Sequence, residues 1–242
     1  MLVLGNSLGT TDAVWAQQVP AFSEHFRVLG YDLPGHGGSP APPGPCTVAG
    51  LGALVLALLD SHGIERAAYC GISLGGMIGM WLAAHHPERI TTLGLVCTSA
   101  YLPPADGWRA RAEQVRSAGL AAIAPAIIGR WFTAAYAARH QAVIETFTSG
   151  LVATDPAGYA GCCEAIAAMD LRPDLAAVTA PALVIAGADD PATPPDHGAA
   201  IARGIPGASL QVIPDAAHLA TVSHPAVVTS ALLRHLRGPA SH

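Results

Sequence analysis

One stretch narrows the folds open to this chain more than any other: Cys70-Gly71-Ile72-Ser73-Leu74-Gly75-Gly76, set between the apolar run Arg66-Ala67-Ala68-Tyr69-Cys70 and a helical run from Met77 to His86. It reads as a strand, a tight turn and a helix, with a serine at the apex. Gly71 and Gly75 flank Ser73 at two residues on either side, the spacing G-x-S-x-G. A turn this tight forces its serine into strained backbone angles and brings strand and helix too close for side chains at the flanking positions. The hydroxyl then stands at the positive end of a helix, where backbone N–H groups can hold an oxyanion. The stretch is expected to be a nucleophile elbow. Five such residues also occur by chance in Gly-rich turns; the strand before and the helix after give the pattern its meaning.

Around the elbow, strand-like and helical runs alternate. Leu2-Val3-Leu4 feeds the polar, Gly-rich loop Gly5-Asn6-Ser7-Leu8-Gly9-Thr10-Thr11, and Trp15, Val19 and Phe22 recur at helical spacing before the strand-like run Phe26 to Tyr31. Asp32-Leu33-Pro34-Gly35-His36-Gly37-Gly38-Ser39 is a turn cluster, followed by a Pro-rich loop from Pro40 to Pro45. Thr47 is placed to cap a helix that runs to about His62 and ends at Gly63. After the elbow helix, closed by His85-His86-Pro87, comes the apolar strand Ile90 to Cys97. The rhythm then changes: residues 100–178 show no clear strand, and their Ala-rich runs with Trp108, Trp131, Phe132 and Tyr136 suggest several helices. Alternation resumes with Ala182 to Gly187, a helix around Asp196 to Arg203, the strand Ser209 to Ile213 and a last helix from Pro225 to Leu236. The expected fold is α/β, a mostly parallel sheet with helices on both faces, built from residues 1–99 and 179–242, with 100–178 inserted as a helical lid.

Composition excludes several function classes. The 242 residues are 51% hydrophobic and 12% charged, enough for one well-filled core. A net charge of −5 without a Lys/Arg cluster argues against a nucleic-acid surface. No apolar run approaches the ~20 residues that cross a bilayer, so no membrane is expected as partner. The N-terminus opens on a strand pattern with no basic region or cleavage site before it, and the expected location is the cytoplasm. Five cysteines, Cys46, Cys70, Cys97, Cys162 and Cys163, show neither zinc-ligand nor redox spacing, so no metal is expected. Oligomeric state is not legible.

A serine hydroxyl needs a base within hydrogen-bond reach and a third group to orient that base. In a parallel sheet such groups gather beyond the carboxyl ends of the strands. Two late strand ends offer them: Ala188-Asp189-Asp190-Pro191 after Gly187, and Pro214-Asp215-Ala216-Ala217-His218 after Ile213. His218 is the one histidine just past a late strand; His85 and His86 end a helix, His36 lies in a turn and His224 precedes Pro225. The order serine, aspartate, histidine is the one this architecture predicts, with one of Asp189 and Asp190 serving. Oxyanion donors are expected from the backbone N–H groups of Leu74, after the nucleophile, and Leu8, in the loop after the first strand.

Asn6-Ser7-Leu8-Gly9-Thr10, Asp32-Leu33-Pro34-Gly35-His36-Gly37, Gly71 to Met77, Arg130-Trp131-Phe132-Thr133 and Gly187 to Pro194 together resemble the α/β-hydrolase fold, and within it the 3-oxoadipate enol-lactonases of aromatic-acid degradation. The likeness runs through nearly the whole chain. The elbow and the Asp-Leu-Pro-Gly-His-Gly turn point to the fold; the Asn6 to Thr10 and Arg130 to Thr133 runs favour the lactonase. The family pattern sets the triad acid three residues after the glycine and four before a proline, which selects Asp190. Members usually carry an N-terminal strand pair ahead of the strand that is Leu2 to Leu4 here. This chain lacks the pair: either its start lies further upstream or the sheet is truncated, which would leave an exposed edge or ragged end. As the chain closes soon after the last helix, the decarboxylase domain that some lactonases carry as a fusion is not expected.

The resemblance implies a small anionic lactone as substrate and no cofactor. Ser73 would attack the ring carbonyl as His218 takes its proton, and the ring oxygen would leave as an enol. The rivals are another esterase, lactonase or cofactor-free perhydrolase using the same triad, and, more remotely, a non-catalytic ligand-binding relative. The substrate's carboxylate needs a local cation. Arg109, Arg111 and Arg116 lie in a polar helical run and are expected in solvent, whereas Arg130 sits among Ile127, Ile128, Trp131 and Phe132. Arg130 and Trp131 are therefore the expected binding residues, the alternative being that Arg130 reaches the surface along Trp131.

Overall fold

The structure, a computed structural model, describes residues 1–41 and 46–238. Most of the Pro-rich loop expected at 40–45 lies outside them. Six strands form one parallel sheet: β1 (Leu2–Gly5), β2 (Val28–Gly30), β3 (Ala67–Ile72), β4 (Ile90–Val96), β5 (Ala182–Gly187) and β6 (Ser209–Ile213). They lie in the order β2-β1-β3-β4-β5-β6. β1, β3 and β5 are buried along their whole length, as near-continuous apolar runs covered on both faces must be.

Handedness then decides which helix covers which face. From β1 the chain crosses to β2 through α1 (Val19–Ser23), and from β2 it returns over β1 to β3 through α2 (Val48–Ser61). The crossovers through α3 (Leu74–His85) to β4 and α9 (Pro195–Gly204) to β6 run in the same direction as that return, opposite to the step from β1 to β2. Right-handed crossovers therefore put α2, α3 and α9 on one face and α1 on the other. The last helix, α11 (Pro225–Leu236), joins α1 and packs on β4 and β5. The short α10 (Ala220–Ser223) precedes it. Thr47 caps α2 through the Gly50 N–H at 2.9 Å, and Gly63 closes the helix with a φ of +63°.

The strand order reverses between β1 and β3, so connections leave these neighbours in opposite directions and open a crevice at their carboxyl ends. The Asn6 loop and the Ser73 elbow stand there. Between β4 and β5 lie α4 (Ala105–Ala118), α5 (Ala124–Trp131), α6 (Ala134–Arg139), α7 (Gln141–Val152) and α8 (Pro156–Ala168). Among the described residues this excursion holds no strand, only a bridge between Tyr101 and Asp170 that ties its two ends together beside a Leu171 N–H to Ala100 carbonyl bond of 2.8 Å. α4 packs along α8, and α5 packs on α7. No helix among the described residues is long and apolar enough to cross a membrane.

Candidate active site

Ser73 sits at φ +55°, a left-handed conformation that is rare and strained outside glycine. The surroundings hold it there. Its N–H donates to the Val96 carbonyl at 2.9 Å, and its own carbonyl accepts from Thr98 Oγ1 at 2.7 Å. A Cβ on Gly71 would overlap the Gly75 carbonyl, and one on Gly75 would overlap the backbone of Gly5. Both glycines are thus steric requirements of the elbow, as their spacing predicts.

The loop after β1 is held from below by side chains. Trp15 Nε1 donates to the Gly5 carbonyl at 3.2 Å, and Asn6 Nδ2 donates to the Tyr31 carbonyl at 2.7 Å. The Gly9 N–H donates to His36 Nε2 at 2.9 Å, while His36 Nδ1 lies 2.9 Å from the Pro34 carbonyl. His36 must therefore be neutral with its proton on Nδ1. Burial pushes its pKa below the ordinary imidazole value, outweighing the Pro34 carbonyl and the acids Asp32 and Asp155, which pull it up. Sequence reasoning left this histidine in a turn; its role appears only when the turn meets the Gly9 loop, 27 residues away in sequence. The Gly75 N–H is taken by the Asn6 carbonyl. The N–H groups of Leu8 and Leu74 have no protein acceptor among the described residues.

Asp190 and His218 are both buried, and His218 Nδ1 lies 2.8 Å from Asp190 Oδ2. The same oxygen accepts from Thr193 Oγ1 at 2.7 Å, and Oδ1 accepts from the N–H groups of Ala192 and Thr193 at 2.8 and 3.0 Å. Burial pushes the Asp190 carboxyl up, but His218 and these donors outweigh it and hold the pKa down to about 2. An ionised carboxylate only accepts, so Nδ1 of His218 carries the proton and Nε2 is left as the basic atom. Asp189 is exposed, its N–H bonded to the Ala216 carbonyl at 2.9 Å. Thr193, which sequence reasoning did not single out, is the carboxylate's second side-chain partner. Its signal was the short Asp-x-x-Thr spacing, which lets a hydroxyl return to the carboxylate.

A cavity of about 410 Å³ lies over Ser73, within the ordinary range of small-molecule sites. Ser7, Leu8, Ser73, Thr193 and His218 line its core side. Trp108, Arg111, Ile127, Arg130, Trp131 and Tyr159 close the lid side. Trp131 is buried, and its carbonyl accepts the Leu219 N–H at 3.0 Å, tying the end of α5 to the residue after His218. Arg130 is exposed at the cavity, whereas Arg111, expected in solvent, is half-buried in its wall. No aspartate or glutamate lines the cavity among the described residues. The charges facing a ligand here are cationic.

The family model described as alpha/beta hydrolase fold matches residues 2–118 and 130–225. The chain is 41% identical over 224 residues to 3-oxoadipate enol-lactonase 2 of Acinetobacter baylyi, covering 93% of this chain and 84% of that protein. The crystal structure of the enol-lactonase from Burkholderia xenovorans LB400 superposes with a TM-score of 0.96 at 43% identity, over 98% of this chain and 91% of that one. A thermophilic esterase from Thermogutta terrifontis, solved with malate bound, superposes with a TM-score of 0.93 at 30% identity, over 98% and 89% of the two chains.

Proposed function

The chain belongs to the alpha/beta hydrolase fold family and is a hydrolase, and from that premise we propose that Ser73, His218 and Asp190 open the ring of an anionic enol-lactone, 3-oxoadipate enol-lactone, through an acyl-enzyme. The observation that carries the reading is the shared cavity: Ser73 and His218 open into one space whose only permanently charged walls among the described residues are Arg111 and Arg130. Relatives named as enol-lactonases support the choice of ring over open-chain ester. The reaction would serve aromatic-acid degradation, in the cytoplasm, and needs no cofactor.

The chemistry follows from the proton positions. Ser73 Oγ attacks the ring carbonyl carbon as its proton passes to His218 Nε2. The developing oxyanion is held by the Leu8 and Leu74 N–H groups, a contribution of about 3–4 kcal/mol per donor in comparable sites. Collapse breaks the bond to the ring oxygen, which takes the proton from His218 Nε2 and leaves as an enol, an easier leaving group than an ordinary alcohol, so that His218 is neutral again. Water, losing its proton to His218, then attacks the acyl-enzyme, and Ser73 recovers its proton as the product carboxylate departs. The enol tautomerises to the ketone, giving 3-oxoadipate. Asp190 stays ionised throughout and stabilises the imidazolium.

Likeness to the thermophilic esterase favours one second reading, hydrolysis of a short open-chain ester by the same residues. Turnover of the enol-lactone measured beside p-nitrophenyl acetate separates the two: kcat/KM at least a hundredfold higher on the lactone is expected. Ser73→Ala should remove both activities while leaving thermal unfolding intact, because the hydroxyl lines the cavity and is no part of the core. Activity of that variant within tenfold of the parent would sink the assignment.

A further inference from the structure

Arg111 and Arg130 line the same cavity but stand in different surroundings. Arg111 is half-buried on α4, with its guanidinium carbon 4.5 Å from the centre of the Trp108 ring one turn earlier. It also lies beside the Tyr159 hydroxyl on α8. Burial pushes that hydroxyl's pKa up, and the Arg111 charge pulls it the other way. Stacking on an aromatic face fixes the plane of a guanidinium and leaves its edge N–H groups to bind a planar anion through two parallel bonds.

Arg89, Arg109, Arg116 and Arg172 each face a carboxylate within 2.8 Å, whereas Arg111 has no such partner among the described residues. A guanidinium withdrawn from water without a counter-ion is costly. Among the described residues the cavity supplies no acid. Arg130 is exposed, so its charge is screened by solvent and salt.

We propose that Arg111 is the residue that binds the carboxylate of the substrate, while Arg130 attracts the anion toward the cavity without holding it. This rests on the reading of the site as one for an anionic lactone or ester. The counter-ion missing from the Arg111 pocket arrives with the substrate. Trp108 and Tyr159 act as positioning residues for the guanidinium, and the division of labour makes substrate selectivity depend on α4 and α8.

The test uses two esters of matched length, p-nitrophenyl hydrogen succinate and p-nitrophenyl butyrate, one ending in a carboxylate and the other in a methyl group. The readout is the ratio of kcat/KM on the anionic ester to that on the neutral one. Both are assayed on one preparation, so any misfolded fraction cancels. The parent should prefer the anionic ester. Arg111→Met should lower the ratio at least tenfold, and Arg111→Lys should restore part of it, because the charge returns without the fork. Arg130→Met should lower the ratio at 20 mM salt and leave it near the parent's at 0.5 M. An unchanged ratio in Arg111→Met, or a tenfold fall in Arg130→Met at both salt concentrations, overturns the assignment to Arg111 while leaving the anionic reading standing. A parent without preference for the anionic ester overturns that reading and this one together.

Discussion

The choice between Asp189 and Asp190 turns on four hydrogen bonds. All four end on Asp190: two N–H groups on Oδ1, and the Thr193 hydroxyl and His218 Nδ1 on Oδ2. An acid with both oxygens occupied cannot swing away, so the imidazole it binds keeps one ring orientation and one tautomer. Asp190→Asn offers Nδ1 an amide in place of a carboxylate, and loss of the triad acid in comparable enzymes costs about 10⁴ in kcat. Asp189→Asn changes an exposed side chain whose only described anchor is its own backbone, and kcat should stay within threefold of the parent. Steady-state rates of the two variants decide the matter, and the opposite ranking would sink the role given to Asp190. The adjacent pair was not separable from local sequence, because both aspartates follow the same strand. Only the resemblance selected between them, and only the return of Thr193 to the carboxylate gives the physical reason.

At the level of elements, strand–helix alternation was legible nearly to the residue where apolar runs are long: Ala182 to Gly187, Ser209 to Ile213 and Pro225 to Leu236 stand where periodicity puts them. The lid was legible only as helical. α4 was read as a polar run, yet Trp108, Ala112 and Val115 recur at helical spacing on one side of it, and Arg111 borders that stripe. A charge beside an apolar stripe is half-buried once a second helix covers the stripe, which no local pattern announces. The same is true of the contact between α8 and the turn holding His36. There Gly158 meets Gly35 without room for a side chain, since a Cβ on Gly158 would stand 2.5 Å from the Gly35 Cα and the Pro34 carbonyl. The Asp155 N–H donates to the Gly35 carbonyl at 2.8 Å in the same contact. Gly158→Val would therefore wedge α8 away from the turn. Overpacking of this kind costs about 1–3 kcal/mol, which in a domain of this size lowers Tm by roughly 2–4 °C per kcal/mol. Because the turn carries His36, and His36 carries the Gly9 loop, kcat should fall with it. Calorimetry and steady-state rates on Gly158→Val check both; an unchanged Tm would show that the two glycines are not in this contact.

Across the whole molecule, the same buried histidine sets how the fold responds to acid. His36 is buried as a neutral acceptor, and His235, half-buried on α11 with its Nε2 3.1 Å from the Leu93 carbonyl and 3.2 Å from that of Pro181, is also pushed below the ordinary imidazole pKa by burial. In the unfolded chain both take up protons near pH ~6.5. Between that pH and their lower folded values the unfolded state binds more protons, so stability falls as pH falls through this window. Asp190 acts in a different range. Its folded pKa of about 2 lies below the ordinary aspartate value, so its contribution is complete above about pH 4 and is lost only as pH drops from there toward 2. Acid destabilisation that sets in just below pH ~6.5 therefore belongs to these histidines and not to Asp190. Each fully displaced histidine contributes at most about 1.4 kcal/mol per pH unit. His36→Gln keeps an acceptor for the Gly9 N–H through Oε1 and removes the titrating group. Urea unfolding from pH 8 to 4.5 should show the parent losing stability below pH 6.5, with a smaller slope in His36→Gln whatever the offset at pH 8. A parent profile flat down to pH 5, or an unaltered slope in the variant, would mean that His36 is not held as the neutral acceptor of the Gly9 N–H, and the Gly9 loop would need another support.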